Sequence, residues 1–217
     1  MTTTDRVPGH IVDTGYLLCF GSVVEGVTHL KSLFGGGLTA PPAVKAELVS
    51  LSERRSKTQE VRQAAARFVG RGADLVVEMR LKAVDIVERD EVRRCFADKL
   101  RPTRHPCVFP DDLGDDIRDV TDGADAGEAE AIPLALRLQL PLLINERAGT
   151  QYARARGVPA TESAAESIKR IAGKTPKQKF QLFRDMERAV GDVGASVPGP
   201  SWYREPPPRP TPVPLEA

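Results

Sequence analysis

The stretch from Asp125 to Thr161, DAGEAEAIPLALRLQLPLLINERAGTQYARARGVPAT, constrains the fold more than any other part of the chain. After Gly127, the residues Glu128, Ala131, Ile132 and Ala135 recur at helical spacing and share one face. Pro141 breaks that pattern, and Leu142, Leu143 and Ile144 form a short apolar run of the kind that suits a strand buried on both faces. The run ends at Asn145–Glu146. Ala148, Tyr152 and Ala155 then mark a second helix, Gly157 can cap it, and Val158–Thr161 reads as the next strand. Helix, strand, helix, strand is the rhythm of a parallel α/β sheet. Ligands of open α/β sheets gather beyond the carboxyl ends of the strands, so polar residues at those ends are the first functional candidates.

The 217 residues suit one α/β domain of roughly 150 residues plus an appendage. With 31 basic and 30 acidic residues the net charge is +1, so any case for nucleic acid rests on local patches. Cys19, Cys95 and Cys107 are odd in number and widely spaced, which argues against a disulfide framework or a zinc site. The opening MTTTDRVPGH lacks an apolar signal core, and no apolar run approaches a membrane span. The expectation is a cytoplasmic protein with no membrane partner.

Upstream, Ile11–Val12 favour a strand that Asp13, Thr14 and Gly15 end, and Tyr16–Phe20 open a helix packed against it. Asp13 reads either as a cap of that helix or as a functional carboxylate. Leu38–Ala40 is a further short strand, and Pro41–Pro42 suit a helix start. In that helix Val44, Leu48 and Leu51 make an apolar stripe with Glu47 on or beside it. Arg54, Arg55, Lys57, Arg62, Arg67 and Arg71 form a dense basic set, either a solvated helix surface or a phosphate-contacting one. Between Asp74 and Val87 one of two apolar stretches, Leu75–Val77 or Ala83–Val87, is a candidate strand, and Arg89–Leu100 returns to a helical pattern. His105 and Cys107 are too few for a metal motif, and the aspartates from Asp111 to Asp125 read mostly as solvated.

Four acidic or amide loci therefore line up with one end of the expected sheet: Asp13, Glu47, Glu128 and Asn145–Glu146. Clustered acidic oxygens suit Mg²⁺ or Mn²⁺, ions that polarise phosphate and lower the pKa of bound water. The pieces IVDTGYLL, PPAVKAEL, DAGEAEAIPLAL and LLINERAGTQYARARGVPAT, in this order and spacing, resemble the PIN-domain family of bacterial toxin-like (VapC-type) ribonucleases over about residues 8–165. The resemblance implies a three-layer α/β domain with a central mostly parallel sheet. It implies metal-dependent cleavage of RNA, with Asp13, Glu47 and Glu128 in the places of three core acids and Asp125 as a further ligand candidate one turn earlier. Asn145 falls where the family usually carries an acid. It can offer a neutral oxygen, and Glu146 can supply the charge instead.

The resemblance extends to catalytic roles for Asp13, Glu47, Glu128 and Asn145, and to substrate contacts by Thr14, Arg54, Arg55, Arg62 and Arg147. It implies RNA as partner, with an antitoxin-like protein and a homodimer as further expected partners. The alternative is a catalytically degenerate PIN-like module that binds RNA or protein, which Asn145 favours. The domain reading is a lead-in over 1–9, the PIN-like domain over 10–161, a C-terminal helical extension over 162–197 and a proline-rich tail over 198–217. Within the extension, Lys169, Arg170, Lys174, Lys177 and Lys179 form a second basic cluster.

Overall fold

A computed structural model describes residues 9–35, 37–97 and 126–190. Five parallel strands form one sheet in the order β3-β2-β1-β4-β5. They are β1 (Ile11–Val12), β2 (Leu38–Ala40), β3 (Val76–Glu78), β4 (Leu142–Leu143) and β5 (Thr161–Glu162). Helices α1 (Thr14–Ser22) and α2 (Gly26–Phe34) join β1 to β2, and α3 (Pro42–Glu53) and α4 (Gln59–Val69) join β2 to β3. Helix α5 (Ala83–Ala97) follows β3, and α6 (Ala126–Leu138) precedes β4. Helix α7 (Arg147–Ala155) leads to β5, and α8 (Ala164–Arg170) and α9 (Pro176–Val190) follow it. The α/β architecture expected from the sequence is the one observed.

The sheet is apolar on both faces because its central strands alternate between two cores. Val12 and Leu143 enter one core with Tyr16, Leu17, Val44 and Leu48, while Ile11, Leu142 and Ile144 enter the other with Ile132 and Tyr152. Adjacent residues of a strand point to opposite faces, so each two-residue strand still contributes to both layers. Register is fixed by pairing of Ile11 with both Thr39 and Leu142, and of Leu142 with Thr161. Backbone bonds from Asp13 N to Leu143 O at 3.1 Å and from Ile144 N to Glu162 O at 3.0 Å carry the ladder to the carboxyl ends.

Local chemistry explains most boundaries. Pro42 opens α3, where its missing N–H costs nothing. Thr58 caps α4 by accepting from Val61 N, and Ser163 with Glu166 builds a reciprocal capping box on α8. Gln139, at φ 53°, ends α6 in the left-handed region, two residues before Pro141. Gly157, at φ 89°, turns the chain after α7, where the absence of a Cβ makes that conformation cheap.

Two differences from the sequence reading are informative. The last strand lies at Thr161–Glu162 rather than Val158–Thr161, because the turn at Gly157 and the ring of Pro159 delay pairing with Leu142 and Leu143. The weak choice in the middle resolves as a strand at Val76–Glu78 followed by a helix from Ala83, so Ala83–Val87 is helical. The C-terminal helices close over α1: Ile168, Phe183, Met186 and Val190 share a core with Tyr16, Leu17 and Phe20. Tyr16 Oη and Ser167 Oγ meet at 2.5 Å inside that contact. The first eight residues and the proline-rich tail lie outside the described residues, as do His105, Cys107 and the aspartates from Asp111 to Asp125. Among the described residues, no helix is long and apolar enough to cross a membrane.

Candidate functional site

The carboxyl ends of β1 and β4 gather the acidic loci. Asp13 follows β1 with extended backbone and is buried, and its Oδ2 accepts from Gly15 N at 3.1 Å. It is thus the cap of α1 and a buried carboxylate at the strand end, so its two sequence readings coincide in one residue. Thr14 donates its hydroxyl to Glu47 Oε2 at 2.7 Å, which ties the first turn of α1 to α3.

Gly127 explains how α6 reaches this pair. A Cβ there would fall 2.7 Å from Thr14 Oγ1, 3.0 Å from Glu47 Oε2 and 3.2 Å from Val44 Cγ2. Only a glycine lets the α6 backbone pass so close, and its neighbour Glu128 is thereby delivered, buried, to the same end of the sheet. Gly149 repeats the device on α7: its Cβ would meet Ile144 Cδ1 at 2.7 Å and Glu128 Oε2 at 3.4 Å. Glu130, two residues beyond Glu128, accepts from Ala43 N at 3.0 Å and fixes the start of α3 against α6. Glu130 is not legible in the sequence because an acid on a helix reads as solvated until its partner 87 residues away is known.

Electrostatics at this end are strained. Burial first, and the neighbouring Glu47 carboxylate second, push the Asp13 pKa up to about 7, against the pull of the backbone N–H groups of Thr14, Gly15 and Tyr16. Burial and the Asp13 charge push the Cys19 thiol up to about 12, so Cys19 stays protonated and unreactive near neutrality.

Asn145 is held from three directions. Its amide nitrogen donates to Cys19 Sγ at 2.9 Å and to Gly15 O at 3.3 Å, and its oxygen accepts from Ala164 N at 2.8 Å. The side chain is buried and joins the end of β4 to α1 and to the start of α8. Glu146 caps α7 by accepting from Gly149 N at 2.7 Å. Both members of the Asn145–Glu146 pair therefore carry structural bonds.

The structure thus brings Asp13, Thr14, Glu47, Glu128, Asn145 and Glu146 to one end of the sheet. The proposed substrate arginines are placed differently. Arg54 ends α3 and is exposed with Arg55, while Arg62 lies half-buried along α4. Among the described residues, no ion pair links these three to the acids. Arg147 begins α7, and only its backbone is described; Asp125 lies outside the described residues.

Among the described residues, no group of three or more His, Cys, Asp or Glu side chains stands close enough together to hold a metal ion. Hard cations of the Mg²⁺ type take several oxygens converging at about 2.1 Å. Compared with protein-family models, with curated proteins and with solved structures, the chain finds no match.

Proposed function

We propose that the chain is a PIN-like domain that binds RNA or a protein partner without cutting it. The observation that carries this reading is the Asn145 bracket. At the position where the resemblance calls for an acid stands an amide, and its nitrogen and oxygen serve Cys19, Gly15 and Ala164. An amide brings no charge, and one whose donors and acceptor hold three elements together acts as a structural brace. That no group of three or more His, Cys, Asp or Glu stands together among the described residues supports the same reading.

The test is a single-turnover incubation of a mixed, labelled RNA pool with the protein at several Mg²⁺ and Mn²⁺ concentrations, alongside calorimetric Mn²⁺ titration. We expect intact RNA and no Mn²⁺ heat. Metal-dependent cleavage that disappears in Asp13→Asn would overturn the proposal.

One observation favours a second reading, a metal-dependent endoribonuclease with Mg²⁺ or Mn²⁺ as cofactor, acting as the toxin of a toxin–antitoxin pair. The buried Asp13 has the half-buried Glu47 carboxylate as a neighbour that raises its pKa, a pairing common where function outweighs stability. Cleavage in the same assay selects this reading, and its antitoxin partner then follows as the next question.

A further inference from the structure

The amino-terminal end of the sheet carries the opposite charge. His10 leads into β1, and its ring meets Phe34, the last residue of α2, edge-on with centroids 4.7 Å apart. Arg170, the last residue of α8, lies over the same Phe34 ring at 5.4 Å. Four residues further on, Lys174 reaches Glu25, just ahead of α2, at 3.2 Å. The connection from α8 to α9 therefore follows α2 from one end to the other, about 13 Å at the helical rise.

Cations crowd this line. Lys31 is exposed on α2 one turn before Phe34, Lys169 and Arg170 are exposed at the end of α8, and Lys177 is exposed in the first turn of α9. Lys174 lies between them, and Lys179 donates to the Lys169 carbonyl at 2.5 Å. Glu25 pairs with Lys174 and Glu162 with Arg170. Among the described residues, Lys31 and Lys177 have no ion pair. His10 and His29 add no charge near neutrality, since burial lowers both pKa values.

We propose that this face binds the phosphodiester backbone of a nucleic acid. A line of cations about 13 Å long outruns any single anion and suits a polyanion that repeats its charge along its length. Lysines dominate it, and lysine is a point charge for phosphate rather than a fork that reads base edges. The proposal names a partner and a face for the binding module and so rests on that reading. The tested substitutions leave the acidic end intact, so the two can fail separately.

The experiment uses the full chain and fluorescence anisotropy with a fluorescein-labelled 20-nucleotide RNA, its DNA equivalent and labelled polyglutamate, over a range of KCl. The variants are the double Lys31→Glu/Lys177→Glu and, as a control on the same helix far from the face, Arg188→Glu. Both are checked for an unchanged thermal midpoint. We expect the parent to bind RNA or DNA with salt-sensitive affinity and polyglutamate at least tenfold more weakly. The double variant should lose at least tenfold in nucleic-acid affinity, with a shallower salt slope, and the control should stay within twofold. Equal binding of RNA and DNA supports backbone recognition, and tighter RNA binding supports it with the ribose contributing. Absence of binding at low salt, a double variant as tight as the parent, or polyglutamate binding as tightly as RNA would overturn it. Cleavage of the RNA during the titration would instead sink the non-cutting reading and leave this face standing.

Discussion

Two buried aspartates in this protein solve the same problem in opposite ways. Asp85, 2 % exposed, receives Arg137 Nε on both carboxylate oxygens at 2.8 Å and Lys82 N at 2.6 Å. Asp13, 3 % exposed, receives backbone amides and faces the Glu47 carboxylate. The first charge is matched where it is buried and clamps α5 to α6. The second has an unfavourable neighbour and is kept in place by the surrounding fold. A buried acid that is answered by a cation is architecture, while one left beside another acid is tolerated for another reason.

The largest effect expected from this contrast is at Asp85. Asp85→Ala strands the Arg137 guanidinium in a mostly buried place, and breaking such a pair costs about 3–4 kcal/mol. Urea denaturation should show that loss. A cost below about 1 kcal/mol would mean that the clamp is solvated and the comparison is false.

Asn145→Asp comes next. It replaces an amide that donates to Gly15 O and Cys19 Sγ with a carboxylate that can only accept, close to Asp13. The expected loss is about 2–3 kcal/mol at pH 7 by the same measurement. A stability equal to the parent's would show that the Asn145 bonds brace nothing and would restore the position as an open ligand.

The smallest effect has the opposite sign. Asp13→Asn keeps an oxygen for Gly15 N while removing the buried like charge, so it should stabilise by about 1 kcal/mol at pH 8. The folded Asp13 pKa, about 7, lies above its unfolded value, so the native state holds the proton more tightly. Its contribution is full below the unfolded pKa and is lost as pH rises from about 4 through about 7. Thermal midpoints measured across that window should fall more in the parent than in Asp13→Asn. Parallel curves would show that Asp13 titrates normally.

The alternation of helix and strand was legible in the sequence because its signals are local. Pro42, Pro141 and Gly157 punctuate the chain at their own positions, and the Leu142–Ile144 run declares a two-faced strand without knowledge of its neighbours. The carboxyl-end candidates were legible for the same reason, since a strand end is a local event. Asp85 was not, because its stretch reads equally as strand or helix and its cation lies 52 residues away. Glu130 was hidden in the same way. The tight passage at Gly127 needs the third dimension, as do the three bonds of Asn145. A sequence shows which groups a residue owns and not which of them are already engaged.

The Asn145 brace also bears on the routes open to this chain in evolution. An acid at that position would confront a thiol and a carbonyl that at present receive its protons. Cys19, protonated near neutrality, could turn only a weak S–H donor towards a buried acid, so a stronger donor at residue 19 would ease the change, while the Gly15 carbonyl would still oppose it. The order of substitutions is therefore constrained. A single base change at codon 145 meets a penalty that a two-step path through residue 19 lessens, so residues 19 and 145 should vary together among descendants of this sequence.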